Sequence, residues 1–324
     1  MPLTPTSLDE ARAAQSRIAT IALRTPLLRL PMTDFSGEIY LKLECLQPIG
    51  SFKIRGAANA MAIAGRDAFA DGVYTASAGN MAQGVAWCAR ELGVRCQVVV
   101  PEHAPRAKTD AIERLGGELL RVPFDEWWQT LVRHNYPGMQ GLFIHPFADA
   151  GVMAGNGTIA LEIFDDVSDV DVVLVPYGGG GLACGIASVV RALNPRTQVF
   201  AVEVDTAAPL TASLAAHTPT PVTYTRTFID GMGSGAVFGE MWPLVQSLLA
   251  GTVVVSVAQV ADAVRMLAER ARVVAEGAGA AALAAARSEA SRGGYEGKRV
   301  VCIVSGGNID AHRMAAILHG TIPE

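Results

Sequence analysis

The chain has 324 residues, half of them hydrophobic and 18% charged, with a net charge near −5. That length buries a large core and predicts two lobes or one large α/β domain, and the composition excludes a disordered chain. The acidic balance leaves no basic footprint for nucleic acid or an anionic membrane, and no apolar run reaches the length of a membrane span.

The first residues, MPLTPTSLDEARAAQS, carry Asp9 and Glu10 and no apolar segment, so a secretory leader is not expected. Ser7 and Glu10 form a capping-box pattern for a helix over 7–19. A strand is predicted at 39–44. The chain then alternates: strand 72–76, helix 80–93, strand 96–100, helix 105–116, strand 118–122, helix 125–134 and strand 141–145. Helix 157–167, the apolar strand 169–176, helix 181–193 and strand 198–204 continue the pattern. Residues 205–237, rich in Thr and Pro, read as a loop. Strand 252–256 leads into a helix with a second capping box, Ser256 and Gln259. An Ala-rich helix at 278–287 and a strand at 298–307 close the series. Strands alternating with helices imply parallel sheets covered on both faces. Five scattered cysteines (Cys45, Cys88, Cys96, Cys184, Cys302) form no CxxC pair and read as buried free thiols of a reducing compartment, the cytoplasm.

Four stretches carry candidate chemistry. In LQPIGSFKIRGAANAM (46–61), Lys53 sits among apolar and small residues at a helix start. A lysine shielded from water has a lowered pKa and becomes an amine nucleophile suited to an aldehyde cofactor. The plainer alternative is a helix capped by Ser51, with Lys53 an ordinary first-turn residue. In VVLVPYGGGGLACGIA (172–187), four glycines join a buried strand to a helix, which makes an anion site from bare N–H groups and the helix dipole. Gly178, Gly180 and Ala183 also fit a dinucleotide GxGxxA pattern with Glu203 as the ribose acid, so an NAD-dependent oxidoreductase stays open at this point. In TASAGNMAQG (75–84), Ser77, Gly79 and Asn80 open a helix and suit a small carboxylate, or else Ser77 or Asn80 is a plain cap. In VCIVSGGNID (301–310), a strand delivers Ser305 to the edge of a sheet where ligands collect. No spacing points to a catalytic metal or a paired-carboxylate glycosidase, and the six histidines are dispersed.

Taken in order, SFKIRGA, SAGN, PYGGGGL, EGAGA and SGGN resemble the fold-type II pyridoxal-phosphate enzymes (tryptophan synthase β-like), in the serine/threonine dehydratase and serine racemase branch. The resemblance runs from TPLLRL (25–30) to the final strand. It implies an α/β protein of two lobes, each a mainly parallel sheet flanked by helices. Residues 67–148 would form a small mobile domain, and 1–66 with 149–324 a large cofactor domain. It also implies pyridoxal 5'-phosphate as cofactor, a small amino-acid substrate and a homodimer.

By the same resemblance, Lys53 would hold the cofactor and take the substrate's α-proton. Phe52 would lie against the pyridine ring, Asn80 would bond its phenolic oxygen, and Ser305 would face its nitrogen. Gly178, Gly179, Gly180, Gly181 and Leu182 would hold the phosphate, and Ser77, Ala78, Gly79 and Asn80 the substrate carboxylate. The activity implied is loss of water from an L-β-hydroxy amino acid, of the threonine or serine type, a hydroxyaspartate or a bulkier 3-hydroxy amino acid, giving a 2-oxo acid and ammonia. A serine racemase is the alternative within the branch. Racemases carry a serine as second base just before the GN pair, and here that position is Ala78. Met81 stands where a histidine usually follows that pair. Pro209 stands where a second acid would join Glu203 in a cation site, so no metal is expected. Where some relatives recruit an arginine, this chain has Trp127 and Trp128, which either pack in the core or line the pocket and change the substrate. The chain ends soon after the last strand, so the regulatory tail of biosynthetic threonine deaminases, and control by isoleucine, are not expected.

Overall fold

A computed structural model describes residues 3–32, 35–104 and 106–323. Helix α1 (Leu8–Ile18) begins where the capping box sets it: Ser7 Oγ accepts from the Glu10 N–H at 3.2 Å, and Glu10 accepts from the Ser7 N–H at 2.7 Å. Strands β1 (Leu27–Leu30) and β2 (Glu38–Lys42) and helix α2 (Lys53–Ala64) follow. The next segment alternates as predicted: β3 (Val73–Ala76), α3 (Asn80–Leu92), β4 (Cys96–Pro101), α4 (Arg106–Arg114), β5 (Gly117–Val122), α5 (Phe124–Arg133) and β6 (Leu142–Phe143). Then come α6 (Ala150–Asp166), β7 (Val172–Pro176), α7 (Gly181–Leu193), β8 (Gln198–Val204) and α8 (Pro209–Ala216). The chain closes with α9 (Trp242–Leu248), β9 (Gly251–Val255), α10 (Val257–Met266), α11 (Gly277–Ala290), β10 (Arg299–Ile303) and α12 (Ala311–Leu318).

Two sheets result. The larger has the order β1-β2-β10-β7-β8-β9, parallel throughout except that β1 runs antiparallel to β2. The smaller has the order β5-β4-β3-β6 and is all parallel. Central β7 and β3 are buried along their whole length, which is why they read as continuous apolar or β-branched runs rather than alternating ones. Among the described residues, no helix is long and apolar enough to cross a membrane.

Strand β1 and helices α9 and α12 are not predicted from the sequence, and β6 and β10 are shorter than predicted; three further departures bear on the site. Helix α6 starts at Ala150 rather than 157, because Asp149 Oδ1 accepts from the Val152 N–H at 2.8 Å. Its glycines hid that start. A Cβ at Gly155 would overlap the Arg55 carbonyl oxygen of α2, so the residue is small because two helices touch there. Helix α8 lies inside the stretch read as a loop; Pro209 fits its first turn, and Glu203, at the end of β8, accepts from the N–H groups of Leu210 and Thr211, both at 2.8 Å. The strand predicted at 39–44 ends at Lys42, and Glu44–Leu46 turn as one 3-10 turn.

That turn completes a buried ion cluster. Arg55, 1% exposed, bonds Glu44 through Nε at 2.8 Å and Glu162 through Nη1 at 2.7 Å, and Lys42 Nζ bonds Glu162 at 2.6 Å. The cluster ties α2 to β2, α6 and the turn, and it fixes the helix whose first residue is Lys53.

Candidate active site

The carboxyl ends of the two sheets face one cleft of about 360 Å³. Every residue that the resemblance assigned to cofactor or substrate lines it: Phe52 and Lys53, the loop Ser77–Asn80, the run Gly178–Leu182, and Ser305; Ala183 and Glu203 of the dinucleotide pattern do not. Parallel sheets explain the convergence, since successive strands all deliver their following turns to the same edge.

Lys53 opens α2 with Phe52 as the capping residue, and Ser51 does not cap the helix. Lys53 Nζ donates to the Pro146 carbonyl at 2.6 Å and lies 5.2 Å from the centre of the Phe52 ring. Among the described residues no carboxylate pairs with it, and burial pushes its amine down to about 8. The Pro146 carbonyl is aimed by buried His145, whose Nδ1 accepts from the N–H groups of Phe147 at 3.2 Å and Ala148 at 2.7 Å. Burial pushes His145 down to about 3, so it stays neutral and the turn holds at any working pH. Because Nδ1 accepts, the ring proton sits on Nε2. His145, His134 and Glu240 lie close enough to hold a metal ion, but that proton opposes one.

At the glycine run, Gly180 takes φ 92°, a left-handed turn that leads directly into α7. Among the described residues, the N–H groups of Gly178, Gly179, Gly180, Gly181 and Leu182 have no acceptor, and α7 has no side-chain cap. Five free N–H groups at a helix start are what a phosphate would satisfy. Glu203 is turned toward α8, where its oxygens accept from the N–H groups of Leu210 and Thr211 and from the Thr211 hydroxyl, and it does not line the cleft.

In the Ser77–Asn80 loop, neither Ser77 nor Asn80 caps α3. Gly79 is the capping residue, and Ser77 Oγ accepts from the Gly79 N–H at 3.2 Å. Asn80 Nδ2 donates to Glu276 Oε1 at 2.7 Å, and Asn80 Oδ1 accepts from Asn308 Nδ2 at 2.8 Å. Ser305 is buried, its carbonyl accepts from the Phe52 N–H at 3.0 Å, and its hydroxyl has no hydrogen-bond partner among the described residues.

Glu276 and Asn308 are the site residues that sequence reasoning missed. The signal was present, since Glu276 precedes GAGA and Asn308 ends SGGN in two of the quoted motifs. Burial pushes the Glu276 carboxyl up to about 7, against the opposing pull of the Asn80 bond. A carboxyl raised in the folded state from 4.5 favours folding at low pH and loses that contribution as pH rises toward 7. Glu276→Gln is therefore expected to match wild type in stability near pH 4.5 and to exceed it above pH 7. Denaturant melts at both pH values check this, and equal curves at high pH would contradict the buried charge. Trp127 and Trp128 line the cleft and also pack against the core of the smaller sheet, so the pair does both.

A family model described as "Pyridoxal-phosphate dependent enzyme" matches residues 18–306. The chain belongs to this family. Pyridoxal phosphate is accordingly its cofactor, and the depressed Lys53 amine and the free N–H groups at Gly178–Leu182 fit an aldehyde and a phosphate. Among curated relatives, the L-threonine ammonia-lyase of Thermotoga maritima is 37% identical over 97% of this chain and 78% of its own length. A serine racemase of Oryza sativa is 34% identical over 94% of this chain and 91% of its own. Among solved structures, maize serine racemase superposes with a TM-score of 0.90 at 30% identity, covering 98% of both chains. The α/β architecture of two mostly parallel sheets flanked by helices is that of the fold-type II enzymes.

Proposed function

We propose that the protein is a pyridoxal-phosphate-dependent dehydratase, an ammonia-lyase that removes water from an L-β-hydroxy amino acid of the threonine or serine type. The observation that carries this reading is a lysine whose amine is depressed by burial, Lys53, lining the same cleft as the helix-opening loop Ser77–Asn80, which holds alanine at position 78. The Cα–H and Cβ–O bonds break and a Cα–Cβ double bond forms. Water then replaces nitrogen at Cα, giving a 2-oxo acid and ammonia.

The cofactor supplies an electron sink for the negative charge that develops at Cα. Lys53 would anchor it, with Phe52 against its ring, Asn80 and Ser305 at its polar ring atoms, and Gly178 to Leu182 at its phosphate. Ser77, Ala78, Gly79 and Asn80 would receive the substrate carboxylate on the free first turn of α3. An amine near pKa 8 is well matched to taking a proton at neutral pH. Racemisation needs a second acid–base group on the opposite face, and the methyl of Ala78 holds no proton. The racemase reading keeps its standing from the serine racemase relatives, and Ala78 opposes it.

The test measures 2-oxo acid and ammonia release across L- and D-threonine, L- and D-serine, the hydroxyaspartates and phenylserine, with and without magnesium. Release from L-isomers without isomer interconversion is expected. Interconversion without release would replace the dehydratase by a racemase. We further read the protein as a cytoplasmic homodimer whose segment 67–148 moves against the rest. Five buried free thiols support a reducing compartment, and sedimentation reads the dimer.

A further inference from the structure

Beyond the residues that would hold cofactor and carboxylate, the cleft has a continuous aromatic wall. It begins one residue from the carbonyl that holds Lys53. The Phe147 ring packs against the glycine loop so closely that a Cβ on Gly179 would overlap it. Phe147 meets Phe238 edge-on at 5.1 Å, Phe238 meets Trp128 at 5.7 Å, and Trp128 lies 6.4 Å from Trp127. Phe124, 60% exposed, extends the row at 5.4 Å from Trp127. Three of these rings come from α5 and two from outside it, and all five line the same cleft as Lys53 and Ser77.

A methyl group would cover little of such a wall, whereas a ring stacks on it or meets it edge to face. The cleft is poorly equipped for an acidic side chain. Among the described residues its lining carries two cations, Lys53 and Lys108. Lys108 is held by Asp230 at 2.8 Å, which also accepts from Arg313 at 3.3 Å. With Lys53 committed to the cofactor, no free cation is left among the described lining residues for a second carboxylate.

Resting on the dehydratase reading, we propose that the substrate is a 3-aryl-serine, its ring seated on Trp128 and Phe238. The hydroxyl then leaves from a benzylic carbon, and the products are a 3-aryl-2-oxopropanoate and ammonia.

Calorimetric titration of the holoenzyme with L-phenylalanine and L-alanine tests the ring site without turnover, since neither ligand has a hydroxyl to lose. Phenylalanine is expected to bind about tenfold more tightly or better, a usual scale for such pockets. In Trp128→Ala that ratio is expected to fall to near one, and Trp128→Leu, which keeps apolar volume, should also lower it. Equal affinities in wild type, or a ratio unchanged in both variants, overturn the aromatic site. Turnover separates the two proposals. If threonine is dehydrated and phenylalanine shows no preference, only the aromatic site fails. If phenylalanine is preferred but neither phenylserine nor threonine releases a 2-oxo acid, the dehydratase fails and the ring site stands.

Discussion

On the proposed mechanism Lys53→Ala is expected to lower 2-oxo acid release by roughly four orders of magnitude, since one residue would serve as both anchor and base. The purified variant should also lose the visible absorbance of a covalently held cofactor. The fold should survive. Lys53 makes one hydrogen bond, to the Pro146 carbonyl, and no ion pair among the described residues. Its amine is pushed down from 10.5 to about 8, so the folded state opposes its charge. Removing a group depressed in this direction takes away a cost to folding that is full at pH values below 8 and fades as pH rises to 10.5. With the cofactor stripped from both proteins, the variant's melting midpoint at pH 7 should therefore equal or exceed that of wild type, whereas the wild-type holoenzyme gains stability from the cofactor it holds. An inactive variant that melts normally assigns the loss to chemistry. An active one would remove Lys53 from the reaction.

Arg55→Ala should cost far more stability than its single guanidinium suggests, about 3–5 kcal/mol, because it strands buried acids. Arg55 bonds Glu44 at 2.8 and 2.9 Å and Glu162 at 2.7 and 2.9 Å, and it also donates to Thr158 and the Leu23 carbonyl at 3.0 Å. Without it, Glu162 keeps Lys42, but Glu44 keeps only neutral partners, Thr25 at 2.6 Å and Gln47 at 3.2 Å. Burial alone would raise the Glu44 carboxyl; the charge and hydrogen bonds of Arg55 outweigh it and hold it below 4.5. That contribution is present above 4.5 and is lost as pH falls through the lowered folded value, so wild type loses this part of its stability in acid. The contrast is Arg24, which pairs with Asp165 and Asp166 on the surface; Arg24→Ala should cost at most about 1 kcal/mol. Urea titrations at pH 7 give both numbers. An Arg55 cost as small as the Arg24 cost would show that water reaches the cluster.

The aromatic wall and the acid Glu276 show where sequence reasoning stopped. Trp127 and Trp128 stood out as a pair, yet that they both pack on the core and join a cleft wall with Phe238, more than a hundred positions away, is visible only in the fold. Glu276 stood in a quoted motif, but its raised carboxyl is created by burial beside Asn80, brought in from another sheet. Helix α8 hid in a Thr- and Pro-rich stretch because the group that caps it, Glu203, lies on the preceding strand.

The sequence by itself determined what resides within one turn of chain. The capping boxes at Ser7 and Ser256, the strand-to-helix glycine turn ending in α7, and the order of five short motifs are local patterns. A cap or a left-handed glycine requires only its near neighbours. Parallel alternation then carried the motifs to one edge, because every strand in such a sheet ends on the same side. Only the tertiary structure decided the states of the charged groups and the shape of the substrate pocket. Arg55 joins residues separated by 11 and 107 positions, and Lys53 is depressed by burial alone. Desolvation and aromatic contact are properties of the atoms that surround a side chain, and most of those atoms come from distant parts of the chain.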